Sequence, residues 1–305
     1  MEKPMKPIIT GFLDHQGKST FDEQIALALK HHIDTICLKT YNNRPIIEIS
    51  DNDLKQIIQT TKDAKIKIGV IDTGIMSYDL YDDKKHKDAL DEFKYMVKVA
   101  DKLKASHLYF RLPIFNDVIK EYDVISKRLD SYVDFAMRNS KKIILLPVHD
   151  YKASVYAFIL KKIKSNVISI AFDPVYIMNN NESTTTSYRL LKKRIGIFMA
   201  RDADRHGMPK LMGYGATDIT EIMKKLFRDN YAGFLSVDNQ FSETVFDDEP
   251  KKVGFLKSIF STEKKKKNDV LTELSKKIFP NEETKNVTYD DILANQIKIL
   301  NLLFK

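Results

Sequence analysis

The stretch IGIFMARDADRHGMPKLMGYGATDITEIMKKLFRDNYAGFLSVDNQF, residues 195–241, decides the fold. An apolar run of strand length, IGIFMARD, gives way to a polar loop and then to a turn between two glycines, Gly213 and Gly215. The amphipathic segment ITEIMKKLFRDNY follows, and a second apolar run, FLSVDNQF, ends the stretch. The periodicities read as strand, loop, helix, strand. Both runs end in charge, at Arg201-Asp202 and at Asp238. In parallel α/β proteins, side chains just past the carboxyl ends of strands line the ligand site.

The same alternation extends outward through the chain. Strand-like runs at 8–14, 34–40, 65–73, 106–115, 142–150 and 167–174 precede this stretch, giving eight with 195–202 and 234–241. Each is followed by a segment of helical period. These segments are TFDEQIALALKHH, DNDLKQIIQTTKDA (with Asp51 or Asp53 placed to cap it), KHKDALDEFKYMVKVADKLKA, NDVIKEYDVISKRLDSYVDFAMRNS, SVYAFILKKIKS, TTSYRLLKKR, ITEIMKKLFRDNY and TYDDILANQIKILNLLF. Near-continuous aliphatic runs suit strands buried on both faces. Eight sequential units with right-handed crossovers predict a (β/α)8 TIM barrel, an α/β fold, as one domain over residues 1–305. No G-x-G-x-x-G follows the first strand and no G-x-x-x-x-G-K-[ST] occurs, so no nucleotide cofactor is expected.

Composition agrees with a large soluble domain: 43% hydrophobic and 30% charged residues. No run approaches the roughly 18 apolar residues of a membrane span, and MEKPMKPIITGF lacks an apolar export core, so a cytoplasmic location is expected. The single cysteine, Cys37, excludes an internal disulfide and a cysteine-based zinc cluster. Much of the formal charge of +8 lies between 251 and 287, where ten lysines face five acidic residues. This lysine-rich insertion, 250–287, separates the last strand from the last helix. Apolar residues recur at helical spacing on both sides of KKKK (264–267): Val253, Leu256, Ile259 and Phe260 before it, then Val270, Leu271, Leu274 and Ile278. A solvated decoration, a lid, a homo-oligomer contact and a membrane-surface helix are all compatible with that pattern. With no arginine in the segment, nucleic-acid binding is not expected, and no membrane partner is expected either.

The motifs ICLKTYNNRPIIEISDNDL, FRLPIF, IAFDPVY and the 195–241 stretch together resemble the sugar-phosphate isomerase/epimerase family, the xylose isomerase-like TIM barrels. The resemblance implies one divalent metal, Mn, Zn or Mg, held by four ligands from late strands: a Glu, an Asp, a His and a Glu. Carboxylates and imidazole suit such an ion, which polarises sugar oxygens. Residue by residue, Pro147 stands at the first Glu position while the His two residues on is kept as His149, Asp173 matches its ligand, Met199 replaces the His and Asp238 replaces the last Glu. The implied metal ligands are therefore Asp173 and Asp238, and the implied catalytic residues are Asp238, Asp173 and His149.

A second set of residues follows from position alone. Lys39, Arg111 and Arg201 fall at strand ends and suit an anionic sugar or acid; ion pairing with Asp173, Asp202 or Asp238 is the alternative reading. Asp202 and His206 crowd the loop beyond Arg201 and suit acid–base or substrate contacts, whereas His206-Gly207 also reads as a plain turn. Asp218, with Glu221 three residues on, reads as a helix cap. The expected chemistry is a proton or hydride shift between adjacent carbons of a sugar or sugar phosphate. The alternative is a small-molecule binding protein that keeps the barrel pocket without turnover.

Overall fold

The computed structural model describes residues 6–14, 19–237, 240–246, 270–282 and 285–304. Eight parallel strands form its centre: β1 (Ile8–Thr10), β2 (Thr35–Leu38), β3 (Lys67–Asp72), β4 (His107–Phe110), β5 (Lys142–Leu145), β6 (Ile168–Phe172), β7 (Ile195–Ala200) and β8 (Phe234–Val237). From β2 to β8 each strand pairs with the next in chain order, and β8 pairs with β1. A parallel bridge between Phe12 and Cys37, with the Cys37 N–H donating to the Gly11 carbonyl at 2.9 Å, brings β1 to β2. The result is the expected barrel, nearly closed.

The outer ring consists of α1 (Phe21–Lys30), α2 (Asp51–Ala64), α3 (Asp83–Lys102), α4 (Tyr122–Arg138), α5 (Ala153–Lys162), α6 (Thr184–Leu191), α7 (Ile219–Arg228) and α8 (Tyr289–Leu303). Local chemistry sets their starts. Thr20 with Glu23, Ser50 with Asp53 and Thr288 with Asp291 form reciprocal capping boxes. The cap of α2 is thus Ser50, and Asp53 is the residue that reaches back to it. Helix α4 begins later than its periodicity suggests, because the Asp117 carboxylate accepts from the N–H groups of Ile119 and Lys120 and holds a turn. Asp218 occupies the residue before α7 in a left-handed conformation, and its side chain makes no capping bond.

Side-chain parity divides the barrel interior into two storeys. Phe12, Cys37, Val70, Tyr109, Ile144, Ala171, Ile197 and Phe234, one from or just past each strand, form a cluster of their own inside the barrel. Gly69 makes room for this layer, since a Cβ there would lie 2.8 Å from the Phe234 ring. Strand side chains alternate between faces, so residues two positions on share the inward parity. Toward the carboxyl end these are Asp14, Lys39, Asp72, Arg111, Leu146, Asp173, Met199 and Ser236. The lower layer is thus mostly apolar, whereas five of the eight upper positions are charged, at the end where barrels of this fold build their sites.

The second half of the insertion docks on this upper end. Residues 270–278 form a helix whose Leu274 is buried with Leu211, Phe241, Val287 and Ile292. The Lys277 ammonium stands 4.3 Å from the centre of the Tyr214 ring, and Glu273 pairs with both Lys210 and Lys277. The first half of the insertion, with its KKKK run, lies outside the described residues.

Candidate ligand site at the barrel mouth

Two arginine–aspartate pairs dominate the carboxyl end. Asp72 closes β3, and Arg111 follows β4. The guanidinium of Arg111 donates to both carboxylate oxygens of Asp72, at 2.9 and 3.0 Å, and to the Ile75 carbonyl at 3.3 Å. The side chains are 13% and 7% exposed, so the pair is largely shielded from water. Asp72 also accepts from the Gly74 N–H at 3.1 Å, which fixes the turn leaving β3. Sequence reasoning chose Arg111 but not its partner; the signal was an acid ending the apolar run KIKIGVID.

Asp173 and Arg201 make the second pair. The Arg201 Nε donates to Asp173 Oδ1 at 2.8 Å, and its Nη2 contacts Oδ2. The same carboxylate caps a short helix, Pro174–Asn179, by accepting from the N–H groups of Val175 and Tyr176 at 3.0 and 3.2 Å. An aspartate cap followed by proline at the first helical position specifies this turn of helix, which the sequence reading passed over as part of a strand end. Bidentate pairing and a double cap together hold Asp173 in one orientation.

The other expected site residues are placed differently. Asp202 is 1% exposed and satisfied from within. It accepts from the N–H groups of Gly213, Gly215 and Thr217 and from the Thr217 hydroxyl, at 2.9, 2.8, 3.3 and 2.7 Å. The glycine turn thus does cradle an anion, the chain's own carboxylate. His206 is exposed in a tight turn whose N–H groups, its own and that of Met208, donate to Asp204. His149 is exposed beyond β5 with a left-handed backbone, its ring 5.8 Å from that of Tyr151. Lys39 is exposed past the end of β2 and makes no ion pair among the described residues. Asp238 lies outside the described residues.

A cavity of about 400 Å³ lies at the opposite end of the barrel, lined by strand starts that include His107, Lys142, Ser169 and Phe234. Several of its polar groups serve the scaffold. Arg194 donates to the carbonyls of Leu160, Ile163 and Ser165, and His107 shares a 2.7 Å hydrogen bond with the Ser106 hydroxyl. Barrels of this kind build their chemistry at the carboxyl ends of the strands. The mouth is therefore the candidate site.

The family model described as xylose isomerase-like TIM barrel matches residues 25–258. The chain belongs to that family. Curated proteins yield no match. Among solved structures, an L-ribulose 3-epimerase superposes with a TM-score of 0.65 at 14% identity, covering 98% of this chain and 95% of that one. The D-psicose 3-epimerase of Clostridium cellulolyticum H10, solved with D-tagatose, gives 0.62 at 13% identity over 87% and 98%. The IOLI protein, solved with a zinc atom, gives 0.64 at 18% identity over 88% and 99%. At such identities these likenesses describe the fold.

The donor set can be tested against the divalent ion that the resemblance implies. Of the four positions, Pro147 offers no donor, Met199 offers a thioether that suits hard ions poorly, and Asp238 is not described. Asp173 has both oxygens engaged by Arg201 and by the helix it caps. Among the described residues no group of three or more His, Cys, Asp or Glu could hold a metal. The described residues do not fit the ion.

Proposed function

We propose that this protein binds a small carbohydrate, or a sugar acid or phosphate, at the carboxyl mouth of the barrel without a divalent ion. The Arg201–Asp173 pair carries the reading: at the one matched ligand position, a guanidinium takes the place of a metal as the counter-charge. Two structures that share the fold, the L-ribulose and D-psicose 3-epimerases, act on sugars and support the ligand class. The chemistry of the mouth supports it too. A carboxylate–guanidinium pair is close to neutral overall yet keeps lone pairs and N–H donors at its edges, which complement hydroxyl groups that both donate and accept. Lys39 would take the anionic end of a charged ligand. A proton shift between sugar carbons would need a base above the pairs, and Asp238 is the residue that the resemblance assigns to it.

Calorimetric titration with D-tagatose, L-ribulose and their phosphate esters, with chelator and again with Mn²⁺, tests the reading. Saturable binding that is indifferent to chelator and weakened by Arg201→Met is expected. Binding that appears only with Mn²⁺ overturns the metal-free site, and conversion of a bound sugar makes the protein an active isomerase or epimerase rather than a binding module.

A further inference from the structure

Buried tyrosine hydroxyls in this protein are matched almost everywhere. Tyr41 donates to Gln56, Tyr188 to Asp229, Tyr231 to the Phe234 carbonyl and Tyr156 to the Val148 carbonyl, while Tyr78 and Tyr132 share a bond with each other. Tyr109 is different. Its side chain is 1% exposed, and its hydroxyl has no hydrogen-bond partner among the described residues. Phenylalanine would fill the same space, and an unmatched buried polar group costs about 1–3 kcal/mol. The hydroxyl has no structural employment here.

Its position says where it can find one. Tyr109 stands in the upper part of the interior layer, in register with Asp72 on the neighbouring strand and two residues before Arg111 on its own. Its ring rests against Phe12, with centroids 5.6 Å apart, at the level where β1 meets β2. We infer that the Tyr109 hydroxyl is the floor of the mouth site and donates a hydrogen bond to an oxygen of a polyhydroxylated ligand lying between the Arg111–Asp72 and Arg201–Asp173 pairs. The inference rests on the ligand class proposed above. Burial pushes the phenol well above its ordinary pKa, with Cys37, Asp72 and Asp173 adding to the shift and Arg201 opposing it. The group is thus a neutral donor throughout the accessible pH range. A buried donor of this kind discriminates strongly, because a ligand without an acceptor at that point leaves it unmatched.

Tyr109→Phe isolates the hydroxyl while keeping the ring. Without ligand, the variant is expected to melt at the wild-type temperature or above it. A fall of about 3 °C or more, roughly the signature of a lost structural bond in a chain of this size, overturns the inference. In titrations with D-tagatose, L-ribulose and their phosphates, the variant is expected to bind about fivefold or more weakly, the loss of one hydrogen bond. Wild-type binding that the variant reproduces unchanged overturns the role of Tyr109 and leaves the mouth site standing. A wild-type protein that binds none of these probes overturns both.

Discussion

Arg201 grips both oxygens of Asp173, and Asp173 in turn caps the helix that leaves β6. One ion pair thereby couples the ends of two adjacent strands to the first turn of a helix. Removing one partner strands the other in a site where the aspartate is 6% and the arginine 20% exposed. For fully buried pairs that penalty is about 3–5 kcal/mol, and partial exposure of Arg201 lowers it. Arg201→Met is expected to cost more stability in urea unfolding than Asp173→Asn, which keeps a capping oxygen. The double variant should cost less than the sum of the two, since the residues share one interaction. Additive losses would show that the pair is not coupled.

Asp202 supports a second prediction. Four donors from the 213–217 turn converge on its carboxylate. Asp202→Asn keeps the shape but turns an amide NH₂ toward groups that are themselves donors. It is expected to destabilise by about 1–3 kcal/mol for the donors left unmatched. Gly215→Ala tests the same contact from the other side, because a Cβ there would lie 2.1 Å from Asp202 Oδ1 and 2.5 Å from the Ala203 carbonyl. Both should lower the melting temperature without loosening the pairs at Asp72 and Asp173. An Asp202→Asn protein as stable as wild type would show that the turn holds itself.

Much of the fold was legible because alternation between strand and helix periods is a local property repeated eight times. Departures arose where one side chain overrode the pattern. Asp117 holds a turn where α4 was expected to begin, and Asp173-Pro174 starts a helix inside what reads as a strand end. The positions of the expected site residues were partly legible. Strand-end position picked out Lys39, Arg111 and Arg201, and the family resemblance Asp173, but the pairing of Arg111 with Asp72 and of Arg201 with Asp173 is set by barrel register, which no local window contains. Asp72 and Tyr109 were passed over because each belongs to an apolar run that reads as core. Asp202 stood out as a free acid because its partners lie 11 to 15 residues further on.

The helix at 270–278 yields a third prediction. Its apolar contact is Leu274, buried with Leu211, Phe241 and Ile292, whereas its ion pairs involve a Glu273 that is 44% exposed. Exposed pairs contribute about 0–1 kcal/mol and buried leucines about 2–5 kcal/mol on truncation. Leu274→Ala should therefore release the helix, seen as faster amide exchange confined to 270–278 and its contacts. Glu273→Gln should leave exchange almost unchanged. The reverse ranking would mean that charge, not apolar burial, docks this segment.

His107 gives the last prediction, in pH. At the start of β4 its imidazole is pushed down to about 4, chiefly by burial and further by the nearby Lys142 ammonium. The unfolded chain takes up its proton near pH 6.5, whereas the folded protein resists it until about pH 4. The unfolded state thus binds more protons across that window. Stability contributed by the neutral ring is fully present above pH 6.5 and is lost as pH falls toward 4. At 1.36 kcal/mol per unit the loss has an upper bound of about 3 kcal/mol. His86, also shifted down by burial and by Arg128, adds a smaller loss in the same direction. Replacing His107 with Asn removes the larger of the two titrations. Urea unfolding at pH 7.5, 6.0, 5.0 and 4.5 should show a stability decline in the wild type that is markedly shallower in His107→Asn. Parallel declines in the two proteins would mean that the ring charges freely in the folded state.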